Sequence, residues 1–187
     1  MVIGLGLLVF GLLAFQFSLP RTASSDDPVL LVLSLIGLFM ICFASSSFVV
    51  FPIPGLALVA LALVFDQGSN GQPLLVGLVA ALGWTLGDAT IYIAGGVGTE
   101  TIERNVQIPE RFVPIYERVV STTERLMKRL GFPILIGATT IPNPVIGVAL
   151  LAAGSNRMGH FLFITSVMIG RLARGLVTAL LGAQAFG

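Results

Sequence analysis

The chain has 187 residues, of which 56% are hydrophobic and only 10% are charged, and its formal net charge is +1 at pH 7. A soluble domain carries about 25% charged residues because it must hydrate its surface, so this composition excludes a soluble globular domain and a disordered chain. The near-neutral charge excludes a basic nucleic-acid-binding face, and the single cysteine, Cys42, excludes a disulfide framework. We expect an all-α integral membrane protein with several spans.

The first predicted element is a transmembrane helix over residues 1–19. These 19 residues carry no charge, and as a helix they would extend about 28 Å, close to the ~30 Å hydrocarbon core. A signal peptide is the alternative, but a basic start and a small-residue cleavage pattern are not clear here. We therefore expect an N-terminal membrane span.

Residues 29–97 form the first of two predicted repeats. An apolar run leads to a proline-containing tip at 52–55, and a return run of only ten apolar residues follows at 56–65. As a helix, ten residues extend about 15 Å and reach only the middle of the bilayer. The pattern therefore predicts a re-entrant hairpin, followed by a transmembrane helix at 74–97.

Residues 131–187 repeat this order after a polar connector at 98–130, which holds most of the charged residues. The connector is predicted to be amphipathic, either with a solvated charged face or lying in the headgroup plane. A second hairpin is predicted around a tip at 142–144, and a transmembrane helix at 161–186 follows. Lys and Arg are frequent in the connector and absent from the turn after the first hairpin, so the positive-inside rule favours oppositely inserted hairpins. Such an inverted repeat is typical of transport folds.

The proline tips are candidate sites for an anionic group. Asn143 is a good N-cap and Pro144 would take the first helical position, so a half-helix would begin near the middle of the membrane. Its free backbone N–H groups and partial positive charge favour a phosphate there. Pro54 and Gly55 offer the same arrangement with a weaker cap. The alternative is that these prolines are ordinary helix kinks.

Three charged residues lie inside the long apolar runs: Asp88, Arg171 and Arg174. Each costs roughly 2.5–3.5 kcal/mol or more at mid-membrane depth, so each must be paired or hydrated. One interpretation is a structural ion pair between Asp88 and one of the arginines, which share a helix face. The other is that unbalanced positive charge faces a polar groove and attracts an anionic headgroup. Two arginines against one aspartate favour the second interpretation.

No pattern in the sequence indicates catalysis. There is no Ser/His/Asp set, no phosphate-binding loop and no cysteine cluster, and nothing partners His160 as a metal ligand. The glycines at 95–98 end a predicted span rather than open a nucleotide-binding helix, and Trp84 and Tyr92 are interpreted as packing residues. We therefore expect no enzyme activity, no metal and no cofactor.

Four motifs follow one another along the chain between residues 51 and 174. They are Phe51-Pro52-Ile53-Pro54; Leu82-Gly83-Trp84-Thr85-Leu86-Gly87-Asp88 with Tyr92, Gly95 and Gly98; Thr140-Ile141-Pro142-Asn143-Pro144; and Gly170-Arg171-Leu172-Ala173-Arg174. In this order and spacing they resemble the DedA or VTT-domain (SNARE-associated) superfamily of membrane proteins, over about residues 48–182.

The resemblance implies movement of lipids across the bilayer. Bacterial members are associated with recycling undecaprenyl phosphate or flipping phospholipid, and eukaryotic members behave as scramblases. Three positions depart from the family pattern: Gly55-Leu56 stands where many bacterial members carry an acid, Thr139-Thr140 where many carry an arginine, and Gly96 replaces the usual arginine. The acid and base usually credited with proton coupling are missing, which favours passive transport.

We therefore expect a scramblase- or flippase-like protein that moves phospholipid or polyprenyl-phosphate headgroups. Asn143 and the half-helix ends would contact phosphate, Arg171 and Arg174 would attract it, and Asp88 would hold an arginine in place. The expected partners are membrane lipids and not nucleic acid. Association with a second copy or with other membrane subunits is left open. The expected location is the bacterial cytoplasmic membrane. A non-transporting accessory subunit is the alternative function. An ion-coupled solute transporter is least favoured, because only Asp88 could titrate.

Overall fold

The computed structural model of the protein describes five stretches of the chain: residues 28–47, 55–69, 72–97, 130–141 and 146–186. The predicted N-terminal helix (1–19) and almost all of the connector (98–130) lie outside the described residues. The same is true of the prolines at both tips, so the predictions for Pro54, Asn143 and Pro144 cannot be placed in the structure.

The described residues form six α helices, and no strand occurs among them. In chain order the helices are α1 (Pro28–Ser47), α2 (Leu56–Gly68), α3 (Pro73–Val97), α4 (Leu130–Thr140), α5 (Ile146–Ser155) and α6 (His160–Phe186). The predicted all-α class is therefore confirmed for this part of the chain.

Three of these helices are long and apolar enough to cross a membrane. α1 has 20 residues, α3 has 25 and α6 has 27, which corresponds to about 30–40 Å at 1.5 Å per residue. Each exposes large apolar side chains along its length, including Val29 on α1, Leu86 on α3 and Leu181 on α6. In water such a surface would aggregate, whereas in hydrocarbon it is the expected lipid-facing surface. The chain is an integral membrane protein.

The other helices are shorter than a span. α2 has 13 residues and α5 has 10, or about 20 Å and 15 Å. The sequence pattern ended the first return run at residue 65, but α2 continues to Gly68, because Gln67 is buried and Gly68 packs closely on the backbone of Ala179 in α6. The half-depth, re-entrant course of these short helices stays a prediction, since the tips are outside the described residues.

α1 and α3 pack side by side. A Cβ atom on Gly83 would lie 2.6 Å from the carbonyl oxygen of Phe39. Four residues further along both helices, a Cβ atom on Gly87 would lie 2.6 Å from the carbonyl oxygen of Phe43. The two helices therefore run parallel, and the chain must turn back between them. α2 is the described helix that lies between them in sequence.

α3 and α6 make the second close backbone contact. A Cβ atom on Gly175 would lie 2.6 Å from the carbonyl oxygen of Gly77, a distance that no real side chain tolerates without movement. Small residues at such a crossing are what lets membrane helices approach. Further along the same interface, the Thr85 hydroxyl donates to the Met168 sulfur at 3.7 Å. Because α3 advances while α6 retreats between these contacts, the helices are antiparallel.

Two of the three short helices, α2 and α5, pack on the long helix of the other predicted repeat, while α4 packs on α6 of its own, where Thr139 lies against Gly170. α2 contacts α6 at Gly68, and α5 contacts α3, where Gly95 lies against Leu151. Apolar side chains fill two cores, one around Leu38 and Ala60 and the other around Leu150 and Phe163. This packing places the middle of α3 and α6 between the two cores, and the two-repeat arrangement stays a prediction.

Candidate functional site

A bidentate ion pair joins α3 to α6 between the two cores. The Nε of Arg171 donates to Oδ2 of Asp88 at 2.7 Å, and its Nη2 donates to Oδ1 at 2.8 Å. Both side chains are almost fully buried, with 1% of Asp88 and 4% of Arg171 exposed. Planar guanidinium and carboxylate groups fit each other in this geometry, which gives strong, charge-assisted hydrogen bonds.

The ion pair is completed by α1. Nη2 of Arg171 also donates to the hydroxyl of Ser46 at 3.2 Å. Removing two charges from water costs several kcal/mol for each ion, so a buried pair needs further hydrogen bonds to its remaining donors. Ser46 supplies one of these, and the close approach of α1 to α3 at Gly87 places it there. Three helices therefore share one charged site.

Arg174 lies one turn after Arg171 and has a different environment. Among the described residues no carboxylate forms an ion pair with it, and its buried Nε has no hydrogen-bond partner there. Its guanidinium carbon lies over the ring of Trp84, 5.1 Å from the centroid, and that of Arg171 lies 5.6 Å from the same ring. Both distances are within the range of about 6 Å for cation–π attraction. Asp88 balances the charge of Arg171, whereas no carboxylate among the described residues balances the charge of Arg174.

The Trp84 side chain is held in place by α1. Its indole N–H donates to the hydroxyl of Ser45 at 3.1 Å, and that hydroxyl donates to the carbonyl of Cys42 at 2.8 Å. Only 2% of Trp84 is exposed. From the sequence, Trp84 was interpreted as a packing residue and was not connected to the arginines. Its position four residues before Asp88, and so on the same helix face, was the available signal.

A cavity of about 450 Å³ lies beside Arg174. Its lining comes from α2, the end of α4 and α6: Leu61, Ala62, Phe65, Thr140, Ala173, Arg174, Val177 and Thr178. Arg174 is the charged member of this lining, and two threonines are its other polar members. Thr140 donates to the carbonyl of Ile136 at 2.7 Å and Thr178 to that of Arg174 at 2.9 Å, so both hydroxyl protons are used within their own helices. The hydroxyl oxygens can still accept hydrogen bonds.

Most of these residues lie in a region of the chain that matches a known protein family. The model of the VTT domain matches residues 51–184 of the chain. The chain belongs to the VTT-domain family. A comparison with curated proteins gave no match, and a comparison with solved structures gave none either. The match confirms the predicted resemblance and adds the coarse function of this family, whose members are membrane proteins associated with transport.

The VTT domain contains the whole lining of the cavity, but it does not contain all of the charged site. α1 ends at Ser47, before the matched residues begin. Ser45, which orients Trp84, and Ser46, which binds Arg171, therefore come from a helix outside the VTT domain. The helix that precedes the domain completes its buried polar centre.

Three of the six predicted site residues are brought together by the structure: Asp88, Arg171 and Arg174. The other three lie outside the described residues, as stated above. Near the first tip, Gly55 opens α2 with a φ of 85° and caps it without a side-chain hydrogen bond, as the weaker cap predicted. The left-handed φ explains the glycine, because other residues rarely adopt it.

Two of the departures from the family pattern lie at buried positions of this VTT domain. Leu56 is buried in the first core, and Thr139 is fully buried against Gly170, where it donates to the carbonyl of Leu135 at 2.7 Å. Neither position offers a titratable group. Within the described ranges no three His, Cys, Asp or Glu side chains are grouped so that they could hold a metal.

Proposed function

We propose that this protein moves lipid headgroups, of phospholipid or polyprenyl phosphate, across the membrane as a scramblase- or flippase-like protein without proton coupling. The observation that carries the proposal is Arg174, a cation that lines an apolar cavity and has no carboxylate partner among the described residues. A bacterial cytoplasmic membrane is the proposed location, lipids are the proposed partners, and no enzymatic step is proposed.

The cavity suits a lipid better than a soluble anion. An uncompensated charge inside the membrane is costly, and a passing phosphate lowers that cost while Arg174 lowers the cost of burying the phosphate. Leu61, Phe65 and Val177 provide apolar walls on which hydrocarbon chains can lie. The hydroxyl oxygens of Thr140 and Thr178 can accept hydrogen bonds from a headgroup or from the water that accompanies it.

The predicted tips extend this path in the proposal. Asn143 and Pro144 follow closely on Thr140, which lines the cavity, so a half-helix that begins there would present its N–H groups near the same space. Pro54 precedes α2, whose side chains form the opposite wall. Both tips would then contact the phosphate that Arg174 attracts.

The absence of proton coupling rests on the engagement of Asp88. Both of its carboxylate oxygens accept hydrogen bonds from Arg171, and 1% of the residue is exposed. Taking up a proton would break a bidentate ion pair and leave Arg171 as a buried, unpaired charge. Asp88 is therefore a structural counter-ion in this proposal.

The proposal is tested with purified protein in liposomes that contain a trace of lipid labelled on its headgroup or chain with a fluorophore. A membrane-impermeant reductant should bleach label from both leaflets in protein-containing vesicles and from the outer leaflet alone in empty vesicles. Phosphatidylglycerol, phosphatidylethanolamine, phosphatidylcholine and a polyprenyl phosphate should be compared. Bleaching that matches empty vesicles for all four lipids would refute the proposal.

A non-transporting accessory subunit is the second candidate, and the ion pair favours it. Asp88 and Arg171 fasten α3 to α6, with Ser46 of α1, as expected of a helix bundle built to be rigid. This candidate predicts defined co-purification with other membrane subunits after mild solubilisation, together with no lipid movement by the isolated chain. Lipid movement by the isolated chain would exclude it.

A further inference from the structure

Two arginines on one helix face compete for a single carboxylate in this site. Arg171 and Arg174 are three residues apart on α6, and only Arg171 binds Asp88. In a low-dielectric interior the unpaired guanidinium is attracted to the same carboxylate. Because Asp88 is already paired with Arg171, the position of Arg174 beside the cavity depends on another contact.

We infer that Trp84 is the positioning residue that holds Arg174 at the cavity wall, an inference that rests on the proposed function. The Arg174 guanidinium lies over the indole ring at 5.1 Å, and the Trp84 ring also borders Arg171 at 5.6 Å. Tryptophan gives the strongest cation–π attraction of the aromatic residues, and the attraction increases when the groups are shielded from water. The ring thus offers Arg174 a favourable position that requires no counter-ion.

The orientation of the ring is fixed from outside the VTT domain. The indole N–H donates to Ser45 at 3.1 Å, and Ser45 in turn donates to the backbone of Cys42 in α1. Because 2% of Trp84 is exposed and the ring does not line the cavity, it acts on a ligand only through Arg174. α1 therefore contributes to lipid binding by keeping the ring under Arg174.

Substitution of Trp84 should change the half-saturating lipid fraction without changing the maximal rate of transport. In Trp84→Leu, Arg174 loses its cation–π contact and is no longer held at the cavity wall. The mole fraction of labelled phosphatidylglycerol that gives half the maximal rate should rise about 5- to 30-fold. The maximal rate should stay close to that of the wild type, because the cavity walls are unchanged. Trp84→Phe retains an aromatic face and should restore half-saturation to within about threefold of the wild type.

A matched control comes from the same helix. Leu82 lies on the exposed side of α3, so Leu82→Ala should change neither the half-saturating fraction nor the maximal rate. Equal impairment of Trp84→Phe and Trp84→Leu would overturn the inference, because the aromatic face would then not be the cause. A wild-type half-saturating fraction in Trp84→Leu would overturn it too. Absence of lipid movement in the wild type would refute the proposed function instead.

Intrinsic fluorescence decides the question if Trp84→Leu does not fold. Trp84 is the only tryptophan of the chain, so the emission of the wild-type protein reports on this site alone. Titration of the detergent-solubilised protein with short-chain phosphatidylglycerol should change the emission in a saturable way, because the phosphate attracts the Arg174 guanidinium that lies beside the ring. The change should disappear in Arg174→Gln and persist in Arg157→Gln, a substitution in the exposed turn before α6. An emission that does not respond to phosphatidylglycerol in the wild type would overturn the inference.

Discussion

Asp88 and Arg171 meet in a bidentate ion pair at 2.7 and 2.8 Å, while Arg174, one turn further along α6, has no carboxylate partner among the described residues. This difference in pairing distinguishes the two arginines, which the sequence analysis could not tell apart. The Asp88–Arg171 pair is a structural contact between helices. Arg174 lies at the wall of a cavity, and in the proposed function it is the charge that attracts an anionic ligand.

Breaking the ion pair should destabilise the fold. Asp88→Leu leaves Arg171 buried without its counter-ion, and we expect a loss of about 3–5 kcal/mol in unfolding free energy. Asp88→Leu combined with Arg171→Leu removes both charges and should be less destabilising than the sum of the two single changes. Unfolding in mixed micelles by a denaturing detergent measures all four members of this cycle. Additive losses would show that the two residues do not act as a pair.

The glycine contact between α3 and α6, which positions the ion pair, should also be important for the stability of the fold. A Cβ atom on Gly175 would lie 2.6 Å from the carbonyl oxygen of Gly77, so Gly175→Val must separate the helices. We expect a loss of about 1–3 kcal/mol or more from overpacking, measured as a lower midpoint of thermal unfolding. Gly137→Ala is the control, because a Cβ atom there meets nothing within 4 Å. Equal stability of the two variants would contradict the close contact.

Transport should not respond to a proton gradient. Asp88 is fully engaged by Arg171, and Leu56 and Thr139 occupy the positions where the family pattern suggests an acid and a base. The initial rate of label movement should therefore be unchanged when a pH difference is imposed across the vesicle membrane or removed by a protonophore. A gradient-dependent accumulation of label in one leaflet would contradict passive movement.

The cavity should admit water, as a path for headgroups requires. Thr178 lines it, whereas Cys42 is fully buried in the first core. In a Cys42→Ala background, Thr178→Cys should react with a small maleimide in the folded protein, and phosphatidylglycerol should slow the reaction. In a separate sample of the wild-type protein, the Cys42 thiol should react only after denaturation, which provides the control. Equal protection of both thiols would indicate a closed, dry site.

The sequence predicted the long helices and the charged residues for reasons that depend on local composition. A run of about 20 apolar residues can only be satisfied as a span, and Asp88, Arg171 and Arg174 stand out because charges in such runs are rare. The family was predicted from the same residues, and the matched VTT domain confirms it. These conclusions needed no knowledge of how the helices pack.

The arrangement of the site depends on packing and could not be predicted in the same way. Both arginines share a helix face, so spacing alone could not decide which of them binds Asp88. The contacts of Trp84 with Ser45 and of Arg171 with Ser46 join residues 39 and 125 positions apart in sequence. The end of α2 at Gly68 likewise depends on its contact with α6. Each of these features is set by tertiary contacts that no local pattern records.

The most direct test of the account is the rate at which labelled phosphatidylglycerol crosses vesicles that contain Arg174→Gln, compared with the wild type and Arg157→Gln. We predict a rate at least about tenfold lower for Arg174→Gln, since hydrogen bonds to charged groups contribute about 1.5–3 kcal/mol, and a wild-type rate for Arg157→Gln. Arg157→Gln should unfold at the wild-type temperature because Arg157 lies in an exposed turn, whereas Arg174→Gln loses its contact with Trp84, so the rates are compared at a temperature at which both variants are folded. A wild-type rate in Arg174→Gln would contradict a lipid path past this arginine.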